Sequence, residues 1–292
     1  MKMNESCVAC LLGKYEKKYP EGATQSEIEA YRNALEAVFE NFSQRSAPEV
    51  VEQMELVKRR FFGDAADFFA IKRHFNLLML SLESQMEQTV RDAEDPLRCA
   101  LQYAMAGNFI DFGALDSVEE DKLREFLEAA NRAQLDEKTI EDLGLDLSRA
   151  SRLVYFTDNC GEIVADKVLV RTLKRLYPKL FVTVIVRGAP VLNDATMVDA
   201  EEIGFSDVAD RVLENGNGVA GTVIARLSRE AREAVDAADL MLAKGQGNFE
   251  SLAGCGLNVY YLFMCKCKLF VDRFRVPKFS GILTREDRLP NM

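Results

Sequence analysis

Three short stretches of this sequence concentrate the residue types that chemistry needs. They are Asp158-Asn159-Cys160-Gly161-Glu162, then Arg187-Gly188-Ala189-Pro190 running on to Asn193-Asp194, and Lys244-Gly245-Gln246-Gly247-Asn248-Phe249-Glu250. Asp158, Asn159 and Asp194 offer hard oxygen ligands with at most two negative charges, a set that suits Mg²⁺ or Mn²⁺ completed by water and substrate oxygens. Lys244 followed by two glycines resembles an anion cradle, because glycine lets backbone N–H groups approach closely and the ammonium adds charge. A metal and a lysine converging on one point favour phosphoryl chemistry, since both offset charge on the transferring group. Each stretch also has an ordinary explanation as a turn or a helix cap. The lysine loop fits neither the P-loop pattern, whose Lys follows the glycines, nor the dinucleotide fingerprint. The argument rests on the three together.

What would bring them together is the pattern around them. RLVYFT, LFVTVIV, DLMLA and NVYYLFM are short apolar runs separated by helical stretches such as GEIVADKVLVRTLKRLY and SREAREAVDAA. Continuous apolar strands are buried on both faces, and their alternation with helices implies a parallel sheet covered on both sides. The three candidate stretches directly follow predicted strands, and ligands bind beyond the carboxyl ends of such strands. Before Ser151 the sequence reads as helix after helix. Thr24 and Glu27 form a capping box, Asp95-Pro96 opens a helix through LRCALQYAMAG, and Ser117 with Glu120 suggests a second box. The Met and Phe residues of this half read as core. The expectation is an α/β protein: a helical bundle domain over residues 1–148, then a three-layer α/β/α Rossmann-like domain with a mostly parallel sheet over 149–292.

Composition excludes several alternatives. The chain has 292 residues, with 37 basic and 47 acidic side chains and a net charge of −10. That balance argues against nucleic acid or an anionic membrane as the main partner. A single histidine, His74, excludes a zinc site built on several imidazoles and a two-His-one-carboxylate iron site. His74 lies in a Phe- and Leu-rich helical run and reads as a satisfied or surface imidazole. The start MKMNESCVACLLGKYEKKYP lacks the apolar core of a signal peptide. No apolar run approaches the ~18–20 residues of a transmembrane helix. The seven cysteines therefore read as mostly reduced thiols of a cytoplasmic protein. Cys7-x-x-Cys10 admits three readings: half a metal site (with Cys265 and Cys267 completing a Cys₄ zinc site), a redox pair, or helix surface. Cys99 and Cys255 read as small apolar residues. Lys58 to Phe62, KRRFF, reads as a solvated basic helix end.

FTDNCGEIVADKVL, RGAPVLNDATMVDAEEIG and LAKGQGNFESL closely resemble the metal-dependent damage-control phosphatase family, formerly a domain of unknown function. AGNFIDFG, with Gly107 to Gly113, resembles a further family motif, and the N-terminal CxxC resembles that of a prokaryotic subgroup. The resemblance covers nearly the whole chain in order. It implies metal-dependent hydrolysis of small phosphomonoesters, such as sugar phosphates or damaged phosphometabolites, with Mn²⁺, Mg²⁺, Co²⁺ or Ni²⁺. Carried over by motif, Asp158, Asn159 and Asp194 hold the metal, and Asp158, Asp194 and Lys244 carry the catalysis. Glu162 contacts substrate, and Lys244, Gly245, Gln246, Gly247 and Asn248 hold the phosphate. Asn108 and Asp111 reach the cleft from the helical half. Asn193 lies on the substrate side, with Arg187 and Glu250 in support. Water attack oriented by Asp158 or Asp194 is the favoured scheme. A covalent aspartyl-phosphate is weakened by Cys160, which stands where haloacid-dehalogenase phosphatases have Asp. The alternatives are a carboxyl methyltransferase using S-adenosylmethionine, for which no clear cofactor loop is present, and a non-catalytic metal- or ligand-binding protein.

Overall fold

The computed structural model describes residues 1–63, 68–107, 130 and 133–290. Six strands form one sheet: β1 (Arg152–Phe156), β2 (Phe181–Val186), β3 (Arg211–Glu214), β4 (Leu240–Lys244), β5 (Val259–Met264) and β6 (Gly281–Arg285). Their order is β3-β2-β1-β4-β5-β6, parallel throughout except for β6, which runs antiparallel to β5. The four apolar runs are β1, β2, β4 and β5, and β4 and β5 are buried at every residue. The sequence reading missed both edges. β3 is four residues long and half-exposed, and β6 ends in a charged turn, so neither shows the continuous apolar run that marks a central strand.

From β1 the chain steps outward to β2 and β3, then crosses back to place β4 on the other side of β1. β1 and β4 therefore flank the point where the winding reverses, and a crevice opens beyond their carboxyl ends.

Helices α1 (Glu5–Tyr15), α2 (Gln25–Val38), α3 (Ala47–Phe62), α4 (Phe68–Asp92), α5 (Pro96–Gly107) and α6 (Glu137–Arg149) precede the sheet. The first expected capping box is present: Thr24 N donates to Glu27 Oε2 at 2.8 Å, and Glu27 N donates to Thr24 Oγ1 at 3.3 Å. Asp95 caps α5 by accepting from Arg98 N at 3.0 Å. Ser117 and Glu120 lie outside the described residues. After β1 comes α7 (Glu162–Leu176), which is buried almost continuously from Glu162 to Leu173. It is buried nearly all round because the sheet lies on one side and α4 and α5 cover the other.

Side chains of α4, α5, α6 and α7 share one core with that face of the sheet, and this core runs without a break across residue 148. The opposite face packs on α9 (Arg229–Asp236), α10 (Gln246–Leu252) and α11 (Lys268–Phe274). α8 (Met197–Glu202) lies between β2 and β3 in sequence. The three N-terminal helices bury a separate core around Tyr31, Leu35, Val50 and Met54, and α3 docks on α10. Phe69 departs from the expected core role and is 59% exposed.

Candidate active site

The two loops after β1 and β2 are stitched together. Thr157 N extends the ladder to Ile185 O at 3.1 Å, Cys160 N donates to Asn193 O at 2.9 Å, and Ala195 N donates to Asp158 O at 2.7 Å. Asn159 and Asp194 face each other as an isolated antiparallel bridge. The loop after β4 joins through Gly245, at φ +82°, where a Cβ would sit 1.9 Å from Asp158 Oδ2. Only glycine lets that backbone turn and lie against the carboxylate. All three sequence stretches thus converge at the crevice.

Arg187 is the hub of the cluster. It is 1% exposed, and its Nε donates to Asp194 Oδ2 at 2.6 Å while Nη1 donates to Asn248 Oδ1 at 3.1 Å. Its Nη2 is buried without a hydrogen-bond partner, 3.6 Å from Asp158 Oδ1. Asn159 Nδ2 donates to Asp158 Oδ2 at 2.9 Å and Glu162 Oε2 at 3.0 Å, which leaves the amide oxygen as its acceptor end. Burial pushes the Asp158 carboxyl well above the usual carboxylate range, with Asp194 and Glu162 adding to it. Burial also raises Asp194, against the pull of Arg187.

Lys244 does not take the place the sequence assigned it. It is fully buried, and its three N–H groups go to Ala104 O at 2.7 Å, Glu162 Oε1 at 2.6 Å and Asp166 Oδ1 at 2.7 Å. An ammonium has three donors, so none is left for a phosphate. Burial alone would lower its pKa, but Asp166 and Glu162 outweigh that and hold it above the ordinary lysine range. Glu162 is likewise turned inward, fully buried between Lys244 and Asn159. Asn248 is spent on structure: its Nδ2 donates to Thr157 O and Lys244 O, and its Oδ1 accepts from Thr222 Oγ1. Gln246 donates to Glu250, whose carboxyl burial pushes up to about 7. Asn193 is buried beside Asp194 and ties the two loops through its carbonyl. Asn108 and Asp111 lie outside the described residues.

Several members of the cluster were not singled out from sequence. Asp166, one turn after Glu162, is the second acid on Lys244 and also accepts from Tyr155 OH at 2.7 Å; burial raises it to about 7. Asn76 of α4 accepts from Gly161 N at 2.6 Å, capping α7, and donates to Asp199 Oδ1 at 3.0 Å. Lys72, one turn before Asn76, pairs with Asp199 Oδ2 at 2.6 Å. The available signal was polar residues at helical spacing, Lys72 with Asn76 and Glu162 with Asp166, inside otherwise apolar helices.

The donor set fits a divalent cation. Asp158, Glu162, Asp166, Asp194 and Asp199 are buried with Arg187, Lys244 and Lys72 among them, a formal excess of two negative charges. Ionised carboxylates are not left buried uncompensated, and a divalent ion supplies the missing charge. Asp158, the Asn159 amide oxygen and Asp194 are the residues that would hold it. Among the described residues no group of three or more His, Cys, Asp or Glu is placed to bind a metal. The expected Cys₄ option finds no such grouping either, and Cys7 and Cys10, half-buried and exposed, are free thiols. His74 is exposed on α4, its ring edge-on to Phe75. No described helix is long and apolar enough to cross a membrane.

The model of the damage-control phosphatase ARMT1-like domain matches residues 3–281. A protein of Archaeoglobus fulgidus named damage-control phosphatase is 31% identical over 278 residues, covering 92% of this chain and 93% of its own. A damage-control phosphatase of Pyrococcus horikoshii is 26% identical, with 98% of both chains covered. The crystal structure of a DUF89 family protein from Pyrococcus horikoshii superposes with a TM-score of 0.81 at 24% identity, over 98% of this chain and 99% of that one. That likeness bears on the fold: a mixed, mostly parallel six-stranded sheet among helices.

Proposed function

Because the chain belongs to the damage-control phosphatase ARMT1-like domain family, we propose that its strand-end crevice hydrolyses small phosphomonoesters with a divalent cation, Mn²⁺, Mg²⁺, Co²⁺ or Ni²⁺, as cofactor. The observation that carries this reading is the buried excess of carboxylate charge where Asp158, Asn159 and Asp194 meet. A divalent cation there polarises phosphoryl oxygens and offsets charge in the transition state.

The chain's own residues do the rest. Asp194 is fixed by its 2.6 Å bond to Arg187, so its orientation does not depend on ligand. Asp158, on the other side of the same guanidinium, is assigned the orientation of the attacking water. Arg187 Nη2, 3.6 Å from Asp158 Oδ1 and without a hydrogen-bond partner among the described residues, supports negative charge gathering there. Lys244, Glu162 and Asp166 act from behind: they hold Asn159 and the start of α7 rigid through buried, charge-assisted bonds. Cys160 is fully buried, and burial raises its thiol well above the ordinary range, so it offers neither acid nor nucleophile to an aspartyl-phosphate route.

Residues 149–292 supply these groups and 1–148 cover them, a division of roles that we retain. The substrates are small phosphorylated metabolites of the cytoplasm, with no nucleic acid and no membrane as partner. The test is phosphate release from a panel of sugar phosphates with and without each metal, with S-adenosylmethionine-dependent methyl transfer run in parallel. Metal-dependent release supports the phosphatase. Methyl transfer, or binding without turnover, would replace it.

A further inference from the structure

Three cavities among the described residues differ in what lines them. One of about 230 Å³ lies at the amino ends of the strands, beside Arg152 and Phe181, away from the crevice. A broad groove of about 810 Å³ follows Thr89 to Gln102 and holds no buried cation. The third, of about 500 Å³, is enclosed by α3, the start of α4 and the segment from Ala189 to Asp199. Leu192 and Thr196, which line it, flank Asn193 and Asp194 in the chain.

From the third cavity and the lysine in its wall we infer the substrate class: a phosphomonoester whose organic part is substantially apolar, seated in this cavity with Lys72 contacting its phosphate. The inference rests on the proposed function and deepens it.

Lys72 lines the cavity and is 9% exposed. Its ammonium has three N–H groups, and Asp199 Oδ2 at 2.6 Å is the partner it has among the described residues. Lys244 is saturated by three acceptors, so the available ammonium beside Asp194 is Lys72. Lys72 lies one turn before Asn76, which accepts from Gly161 N at the start of α7, so it stands on the metal-ligand side of the cavity. A buried lysine with donors to spare is an anion contact waiting for its anion.

The remaining wall sets the charged side chains Glu52, Glu55, Lys58 and Arg59 of α3 beside a broad apolar surface. Leu56, Phe69 and Val198, at 49%, 59% and 56% exposure, are large hydrophobic side chains left open to solvent, and all three line this cavity. Val191 and Leu192 continue the surface toward Asp194. An aromatic or alkyl group laid on that apolar surface gains about 25 cal/mol for each Å² it buries, a gain that a bare sugar phosphate does not make there. The volume is that of an ordinary small-molecule pocket, about 300–1,000 Å³.

Non-hydrolysable phosphonates separate this inference from the reaction. Calorimetry on the full chain with Mn²⁺ present is expected to show 1-naphthylmethylphosphonate binding at least tenfold tighter than methylphosphonate. Val198→Asp, an exposed position, should abolish that preference. Lys72→Met should weaken methylphosphonate at least tenfold. Because it strands Asp199, Lys72→Met with Asp199→Asn removes both charges and should show the same loss in a folded protein. A wild type without the preference, a Val198→Asp that retains it, or Lys72 variants with wild-type methylphosphonate affinity would each overturn the inference. A wild type that cleaves esters but shows no preference fails here alone. One that shows the preference but releases no phosphate from any ester keeps this site and loses the phosphatase reading.

Discussion

Burial, together with Asp194 and Glu162, pushes the Asp158 carboxyl well above its usual range, so ionising it costs the metal-free fold. Asp158→Asn removes that cost. In the absence of metal at pH 8 the variant is expected to melt no lower than the wild type, and Mn²⁺ should raise the Tm of the wild type only. Differential scanning fluorimetry checks both. Lys244→Met acts in the other direction, because it leaves Glu162 and Asp166 buried without their cation. Breaking a buried pair this way costs about 3–5 kcal/mol, which urea unfolding would read. The positions of Asp158 and Asn159 were legible in the sequence because they follow an apolar run, and the end of a buried strand fixes where the next residues lie; Asp194 was legible only as part of the loop that follows β2. Lys244 was legible as a position and not as a role. Nothing in a one-dimensional pattern says whether a lysine side chain leaves the sheet toward solvent or turns inward to Glu162 and Asp166. Arg187 is a similar case, since its partners come from three different loops.

At the scale of elements, Gly245 and Asn76 are where helix and strand ends are fitted together. Gly245→Ala places a methyl group at a strained φ of +82°, into the Asp158 carboxylate. Because the atom displaced belongs to the site, turnover should fall at least a hundredfold, beyond any loss of folded protein seen by circular dichroism. Asn76→Ala leaves the Gly161 N–H buried without an acceptor at the start of α7. An orphaned buried donor costs about 1–3 kcal/mol, and a smaller shift in the urea midpoint would contradict the cap assignment. The central strands and long amphipathic helices were readable because burial on two faces, or on one, leaves a periodic trace. The edge strands were not: β3 is short with no buried residue, and β6 buries only three residues before a charged turn, too few for a periodic trace. The seam expected at residue 148 illustrates the same limit. Composition changes there from helical to alternating, yet α4, α5 and α6 bury their apolar faces in the core they share with the sheet.

For the whole molecule, the excess of buried acid sets the response to pH. Asp166 is raised from 3.8 to about 7, and Asp158 and Asp194 are raised in the same direction. A raised carboxyl binds its proton more tightly folded than unfolded. It therefore contributes stability that is present below about pH 4 and is lost as the pH rises through the folded value. The Tm of the metal-free protein should fall between pH 5 and pH 8. A divalent cation, which competes with those protons, should restore it at pH 8 and do little at pH 5. A metal-free Tm that rises across that window would contradict the charge accounting. The measurement that bears most directly on the central claim is inorganic phosphate release from phosphomonoesters by EDTA-stripped protein, before and after adding Mn²⁺ or Mg²⁺, beside Asp158→Asn. The account predicts release that requires the cation and falls at least a thousandfold in the folded variant. Release that persists in EDTA, or survives in Asp158→Asn, would contradict it.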